Sequence, residues 1–287
     1  MILVTGAGGK TGKALTGVLS KVQNVCAFVY HEANLSVAKS LGAHKVIMGD
    51  MRDERAIRSA MEGVRAVYHI CPNMHPEEVA IGILITRQAR NAGVEHFVYH
   101  SVLHPQTEKM AHHRQKMRVE ELLFESGLPF TILQPAPYMQ NLLAGWKSIV
   151  EDGVLRVPYS VHSKFSFVDL DDVAEAAKVV LTEPGHAQAI YELAGTLPMS
   201  HVEVAEIFGH VLKRDVQAEK EEIGRSAGRL RAGGLSQYAV ENLIRMFQYY
   251  DRWGLAGNPN VLRWLLRREP ASFESFIQRV LSDDANR

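Results

Sequence analysis

The residues with the clearest chemical meaning lie in a glycine-rich turn near the start of the chain. Gly6, Gly9 and Gly12 recur at every third position, directly after an apolar strand and before a segment of helical period. This spacing suits a dinucleotide, because the glycines permit a tight turn, close backbone approach to a pyrophosphate and close helix packing. A P-loop is excluded, since no glycine stands at the required distance before either Gly-Lys pair. Together with Lys10 and Thr11, these glycines predict a dinucleotide-binding turn; a generic tight turn is the alternative.

The ends of the second and third strands bear on the adenosine half of such a cofactor. NAD sites usually carry an acid about 20 residues after the turn and NADP sites an Arg, whereas Tyr30 and His31 stand here, followed by Glu32. Either Glu32 binds ribose hydroxyls, or His31 and Lys39 meet a 2′-phosphate, or this loop is simply solvated. Asp50 follows the third strand and is placed to accept a hydrogen bond from adenine, or to cap a turn.

A histidine and a lysine are spaced to act together on one helix face. His112 and Lys116 are four residues apart, so the lysine charge disfavours the imidazolium and is expected to leave the histidine titrating near its working pH. A solvated polar face is the alternative. No metal is expected, because no Cys ligand pair or His-Glu-x-x-His unit accompanies the nearby histidines, which are His100, His104, His112 and His113.

Candidate substrate contacts follow the strand that ends near residue 133. Tyr138 and Asn141 come after this strand, at the carboxyl edge where open α/β sheets bind ligands. They are expected to contact substrate or nicotinamide, or else to cap the next helix. The aromatic segment Arg245–Trp253 is typical of core, but it also suits an apolar lid that excludes water.

These residues require a parallel sheet to position them. Runs rich in β-branched residues alternate with helical segments from residue 2 to residue 133, which predicts a doubly wound α/β fold. The prolines at Pro135 and Pro137 predict a boundary. Beyond it we expect a helix over Tyr138–Val150, short strands at Val154–Val157 and Phe165–Val168, and a mostly helical remainder.

Composition limits the possible partners. The chain has 287 residues, with 32 Lys and Arg against 32 Asp and Glu, so it lacks the positive excess that nucleic-acid binding uses. Cys26 and Cys71 lie in or beside apolar runs and are expected to be buried free thiols in a reducing compartment. Without an evident signal peptide or bilayer-spanning stretch, a cytoplasmic protein that binds neither nucleic acid nor membrane is expected.

The sequence resembles the NmrA-like branch of the atypical short-chain dehydrogenases/reductases, which includes isoflavone-reductase-like and triphenylmethane-reductase-like proteins. The resemblance covers nearly the whole chain. Five segments carry it: Val4–Gly12, Gly49–Asp53, Gly93–Ser101, Gly127–Pro135 and Phe167–Ala174.

This resemblance implies a Rossmann domain over residues 1–137 plus about 165–195, and a smaller, mostly helical substrate domain over 138–164 and 196–287. It also implies NADP(H) more often than NAD(H), although the family commonly has Arg where Tyr30 stands. Short-chain dehydrogenases generally use Ser with Tyr-x-x-x-Lys, and the matching positions here are Ser101, His112 and Lys116. Loss of the tyrosine is common in this branch.

Two functions follow as expectations. The first is an NAD(P)H-dependent reductase of a small aromatic or quinone-like carbonyl or conjugated compound, acting as a monomer or homodimer. Lys116 then binds nicotinamide-ribose hydroxyls, His112 donates the proton, Ser101 polarises the oxygen, and Tyr138 is the substitute donor. The second is a non-catalytic NAD(P)-sensing regulator that binds a protein partner.

Overall fold

The computed structural model describes residues 1–285, which divide into two compact units. The first unit contains Met1–Glu108, His112–Gln134 and Val173–Tyr191. The second contains Lys109–Ala111, Pro135–Asp172 and 192–285.

A seven-stranded sheet forms the centre of the first unit. Its strands are β1 (Ile2–Val4), β2 (Val25–Val29), β3 (Lys45–Met48), β4 (Ala66–His69), β5 (His96–His100), β6 (Phe130–Pro135) and β8 (Ala189–Leu193). Strand β7 (Val154–Val157) belongs to a separate two-stranded sheet. They lie in the order β3-β2-β1-β4-β5-β6-β8, and the pairs from β3 to β6 run parallel. Because the order reverses beside β1, the carboxyl ends of β1 and β4 flank the point where such sheets bind ligands.

Helices connect these strands. They are α1 (Lys10–Leu19), α2 (Ala33–Ser40), α3 (Glu54–Ala60), α4 (Glu78–Asn91), α5 (Ala111–Glu125) and α6 (Leu170–Thr182). Asp53 caps α3, since its carboxylate accepts hydrogen bonds from the backbone N–H groups of Arg55 and Ala56. The doubly wound Rossmann-type fold predicted from the strand and helix alternation is confirmed.

The core of this unit is built from strand residues that are apolar on both faces. Leu3, Phe28 and Phe97 are almost completely buried, as expected for central parallel strands covered on both sides. Helices α4 and α5 pack closely where Gly82 of α4 meets Val119 of α5. A Cβ on Gly82 would lie only 2.8 Å from a methyl group of Val119. This close packing holds the polar ends of both helices in a defined place.

The second unit is mostly helical, as predicted. A two-stranded parallel sheet pairs β7 (Val154–Val157) with β9 (Gln217–Lys220). The helices are α7 (His201–Leu212), α8 (Ile223–Ala232), α9 (Gln237–Trp253), α10 (Asn260–Leu266) and α11 (Phe273–Ala285). Ser200 and Glu203 form a capping box at the start of α7.

Two elements of this unit differ from the prediction. The expected helix over Tyr138–Val150 is a 3-10 helix at Met139–Gly145 followed by a π-helical turn at Ser148–Asp152. The expected strand over Phe165–Val168 makes only isolated bridges, to Tyr138, Met199 and Leu255. A run of buried apolar residues therefore has the sequence pattern of a strand here, although its backbone does not pair continuously with a neighbouring strand.

Candidate active site

The glycine turn has no room for side chains where the fold brings backbone segments together. Gly6 has φ +61°, and a Cβ on it would lie 2.8 Å from the carbonyl oxygen of Ile70. A Cβ on Gly12 would lie 2.6 Å from Cα of Ala7 and would collide with the carbonyl oxygen of Gly6. Helix α1 therefore starts directly against the end of β1, which is the geometry that a phosphate-binding turn requires.

The N-terminus of α1 is open to an anion. Gly9 is the N-cap residue, in an extended conformation, and no side chain of residues 1–285 caps the helix. Gly9 and Lys10 are exposed, while Thr11 and Gly12 are buried. The first N–H groups of a helix lack intrahelical acceptors and carry the positive end of its dipole. This uncapped turn therefore fits the pyrophosphate of a dinucleotide. The pyrophosphate would occupy the open space beside Gly9, where a larger residue would place its side chain.

The predicted adenosine contacts are at the surface of the first unit. Tyr30 is 60% exposed, and its ring lies edge-on against the ring of His31 at 4.8 Å. Asp50 forms an ion pair with Arg52 at 2.6 Å and accepts a hydrogen bond from the Arg52 backbone N–H. The Arg52 hydrogen bond lowers the pKa of Asp50. Asp50 therefore stabilises its turn, and adenine binding by this carboxylate stays a prediction.

A buried ion pair anchors the predicted catalytic lysine. Nζ of Lys116 lies 2.6 Å from Oε1 of Glu78 and donates a hydrogen bond of 3.0 Å to the carbonyl oxygen of His100. The Tyr99 hydroxyl donates to the same carboxylate at 3.1 Å, and the lysine charge lies 5.1 Å from the Tyr99 ring centroid. Burial first, and then the Glu78 charge, raise the pKa of Tyr99. The phenol therefore stays protonated and serves as a donor to Glu78.

His112 lies beside this pair. Its Nδ1 is 3.6 Å from Oε2 of Glu78, and within the part of the chain that the structure describes it has no hydrogen-bond partner. Burial first, and then the Lys116 charge, hold the pKa of His112 well below its usual value. The Lys116 charge lowers the pKa of His112, as the sequence predicts, and burial lowers it further. His112 is therefore neutral at pH 7, and its assignment as the proton donor stays a prediction.

Ser101 lies in a second buried polar group. Its hydroxyl donates to Oε1 of Glu120, and the side-chain amide of Gln134 donates to both oxygens of that carboxylate at 2.9 and 3.0 Å. Burial, partly offset by these hydrogen bonds and by Lys116, raises the pKa of Glu120. The group joins the end of β5, the middle of α5 and β6 in one network.

The other predicted residues belong to the second unit or have structural partners. Tyr138 and Asn141 belong to the second unit, where Tyr138 bridges to Val168 and Asn141 is exposed. Nδ1 of His113 lies 3.1 Å from the carbonyl oxygen of His104. In residues 1–285, no three His, Cys, Asp or Glu side chains are grouped as metal ligands. No helix in that range has both the length and the apolar character needed to cross a bilayer.

The structure therefore brings together Ser101, His112 and Lys116 in the first unit. Sequence reasoning missed Glu78 and Glu120, which hold them. Both acids carried a signal: Glu78 continues the apolar face of α4 that includes Ile81 and Ile85, and Glu120 lies one turn beyond Lys116 on the buried face of α5. An acid on a buried helix face is rare unless it is paired, so each predicts a partner.

The uncapped glycine turn after β1 and the doubly wound parallel sheet are the features of Rossmann-type dinucleotide-binding proteins. A model of the NmrA-like family matches residues 1–278. The chain therefore belongs to the NmrA-like family.

Comparison with individual proteins agrees with this assignment. An NAD(P)H azoreductase from Xenophilus azovorans is 30% identical over 281 residues, which cover 97% of each chain. Quinone oxidoreductase 2 from Escherichia coli is 30% identical over 197 residues, which cover 68% of each chain. The crystal structure of an NADPH-dependent quinone oxidoreductase from Escherichia coli, complexed with NADPH, superimposes with a TM-score of 0.85 at 25% identity, covering 98% of this chain and all of the other.

Proposed function

We propose that this protein is an NAD(P)H-dependent reductase of a small quinone-like or other conjugated aromatic compound. The observation that carries the proposal is the placement of the uncapped N-terminus of α1 and the buried Lys116 at the carboxyl ends of strands in one parallel sheet. These ends meet at the same edge, where dinucleotides bind. Relatives that reduce azo compounds or quinones support the substrate class.

The two units have different tasks in this proposal. The first binds the dinucleotide through Gly6, Gly9 and Gly12, and the second selects the substrate through Tyr138 and Asn141. Replacing Tyr138 by Phe removes its hydroxyl while keeping its ring. A higher KM with an unchanged cofactor affinity would support its role as a substrate contact, and an unchanged KM would contradict it.

Lys116 supplies the positive charge that the reaction needs. A bound reduced nicotinamide supplies a hydride, which leaves negative charge on the substrate. Lys116 stabilises that charge through the local field and donates to ribose hydroxyls, while Glu78 and the His100 carbonyl hold its ammonium group in place. Ser101 polarises the substrate oxygen from the end of β5.

We also propose a modest preference for NADP(H). Lys10 and His31 are exposed cationic or potentially cationic groups near the turn and the end of β2, and Tyr30 places no acid against a 2′-phosphate. The complex of the Escherichia coli quinone oxidoreductase with NADPH supports this choice. Titration with NADPH and NADH at equal ionic strength tests it, and tighter binding of NADH contradicts it.

The test of the proposal changes the charge at the helix N-terminus without disturbing the fold. Gly9→Asp suits the extended N-cap position, where the nearest atom to a new Cβ is 3.4 Å away. Its carboxylate occupies the region that the pyrophosphate needs. Gly9→Asn is the neutral control of almost equal size.

We expect calorimetry to show that Gly9→Asp binds NADPH and NADH much more weakly than Gly9→Asn does. We also expect the wild type to oxidise NADPH when menadione or an azo dye is added. Affinities in Gly9→Asp equal to those of the wild type contradict dinucleotide binding at this turn. Tight binding without acceptor-dependent oxidation contradicts the reductase and favours the regulator.

A further inference from the structure

The network of Ser101, Glu120 and Gln134 is almost sealed from solvent. Their exposed fractions are 3%, 6% and 7%. It brings an acid that no sequence motif assigned into direct contact with the serine at the end of β5. We infer that Glu120 supplies the proton for the reduction and delivers it through the hydroxyl of Ser101. This inference rests on the proposed function.

The reaction needs such a source because the other groups near the site are poor proton donors. Lys116 is held by Glu78 and by the His100 carbonyl, so loss of its proton would leave Glu78 as an unpaired buried charge. His112 is neutral and has only the proton of an uncharged imidazole. A serine hydroxyl by itself is a weak acid. It becomes an effective donor only when a second group replaces its proton as it leaves.

The hydrogen-bond geometry allows this replacement. When Glu120 is ionised, the Ser101 hydroxyl donates to it, and the serine presents only lone pairs to a substrate. When Glu120 is protonated, its O–H donates to Oγ of Ser101 and frees the serine hydrogen for the substrate oxygen. The amide of Gln134 continues to donate to the other carboxyl oxygen in both states. The protonation of Glu120 therefore decides which way the serine donates.

The atoms and electrons of the step balance. The substrate gains two electrons and one hydrogen from a dihydronicotinamide dinucleotide, which is oxidised, and one substrate oxygen becomes negative. An O–H bond then forms between that oxygen and the Ser101 hydrogen as the Oγ–H bond breaks. Oγ takes the proton of Glu120, so the serine ends unchanged and Glu120 ends as a carboxylate. Water restores the Glu120 proton before the next turnover.

The groups around Glu120 favour a proton that it can hold and release. Burial raises the pKa of Glu120, whereas the hydrogen bonds of Ser101 and Gln134 and the charge of Lys116 lower it. The Glu120 charge also acts on Tyr99 of β5, whose pKa is raised chiefly by burial. Since burial is the largest of these effects, Glu120 retains a proton to higher pH than a solvated glutamate does.

Infrared spectroscopy of the protein without cofactor tests the proton directly. We expect a protonated-carboxyl band that disappears as the pH rises and that is absent in Glu120→Gln. Glu121→Gln is the matched control, because Glu121 is the next residue on α5 and is exposed. A band that is unchanged in Glu120→Gln would overturn the assignment.

Single-turnover kinetics test delivery. We expect Glu120→Gln to slow oxidation of NADPH by menadione about 100-fold to 10,000-fold, with NADPH affinity unchanged. The wild-type rate should fall as pH rises through the Glu120 pKa, and this decline should be missing in Glu120→Gln but present in Glu121→Gln. Ser101→Ala should lose the same pH dependence. The variant that carries both substitutions should be no slower than the slower single variant, because each substitution interrupts the same proton transfer from Glu120 through Ser101.

Each failure has a distinct meaning. An active wild type whose rate and pH dependence survive in Glu120→Gln overturns the proton path but leaves the proposed reductase intact. A wild type that never oxidises NADPH with an acceptor contradicts both. If Glu120→Gln does not fold, Ser101→Ala still decides: a pH dependence like that of the wild type would overturn the path.

Discussion

Replacing Glu78 by Gln should destabilise the protein far more than its position at the start of a helix suggests. Glu78 is completely buried, and among residues 1–285 it pairs with Lys116 at 2.6 Å and lies 3.6 Å from Nδ1 of His112. Gln keeps the shape and can still accept the Tyr99 hydrogen bond, but it leaves the Lys116 ammonium buried without its counter-charge. Breaking one side of a buried pair costs about 3–5 kcal/mol, a large part of a typical total of about 5–15 kcal/mol.

Urea unfolding at pH 7 measures this loss. Glu77→Gln is the matched control, because Glu77 is adjacent and pairs with Arg52 at the surface, where removal should have little effect. In Glu78→Gln/Lys116→Met both charges are gone, so the double variant should be less destabilised than the two single losses predict, by about 1–3 kcal/mol. A Glu78→Gln midpoint equal to that of Glu77→Gln, or strict additivity, would refute the buried-pair account.

Three further predictions concern the turn, the second unit and the lysine. Gly12→Ala should destabilise the protein by about 1–3 kcal/mol or more, whereas Gly17→Ala on the same helix, with its nearest neighbour at 3.5 Å, should stabilise it by up to about 1 kcal/mol; thermal unfolding compares them, and equal effects would contradict the close packing of α1. Burial lowers the pKa of His201 from 6.5 to about 4, so the unfolded chain takes up a proton first at this position. The contribution of His201 to stability should therefore fall by about 1.4 kcal/mol per pH unit as pH drops from 6.5 to 4. His201→Leu should reduce this slope in urea unfolding, and an unchanged slope would show that His201 is not buried as a neutral group. Lys116→Met should reduce turnover strongly and weaken NADPH binding in calorimetry, and an unchanged rate would remove the lysine from the mechanism.

Much of the first unit was predictable because its signals are local and repeated. Buried parallel strands read as short apolar runs, and a glycine at every third position after the first strand has few other uses. The second unit was harder, since Phe165 and Val168 are buried by aromatic packing and isolated bridges rather than by a ladder. Pattern alone does not separate these two reasons for burial.

The site shows where sequence reasoning stopped. The spacing of His112 and Lys116 predicted that they share a face, but it could not tell how deeply α5 is buried, and burial contributes most to the His112 pKa. Glu78 and Glu120 come from different helices and reach Lys116 and Ser101 only after folding. Such pairings depend on tertiary contacts between residues far apart in the chain, so a single sequence does not specify them.

In the proposed reaction the protein passes reducing equivalents from a dinucleotide on the Gly6–Gly12 turn to a conjugated acceptor. The most direct measurement is a single turnover of NADPH bound to excess enzyme, mixed with menadione and followed by the absorbance of the reduced nicotinamide. We expect rapid, acceptor-dependent oxidation in the wild type, slower oxidation in Gly9→Asn, whose uncharged side chain enters the same space, and no oxidation in Gly9→Asp. Bound NADPH that stays reduced in the wild type, whatever the acceptor concentration, would contradict the proposed reaction.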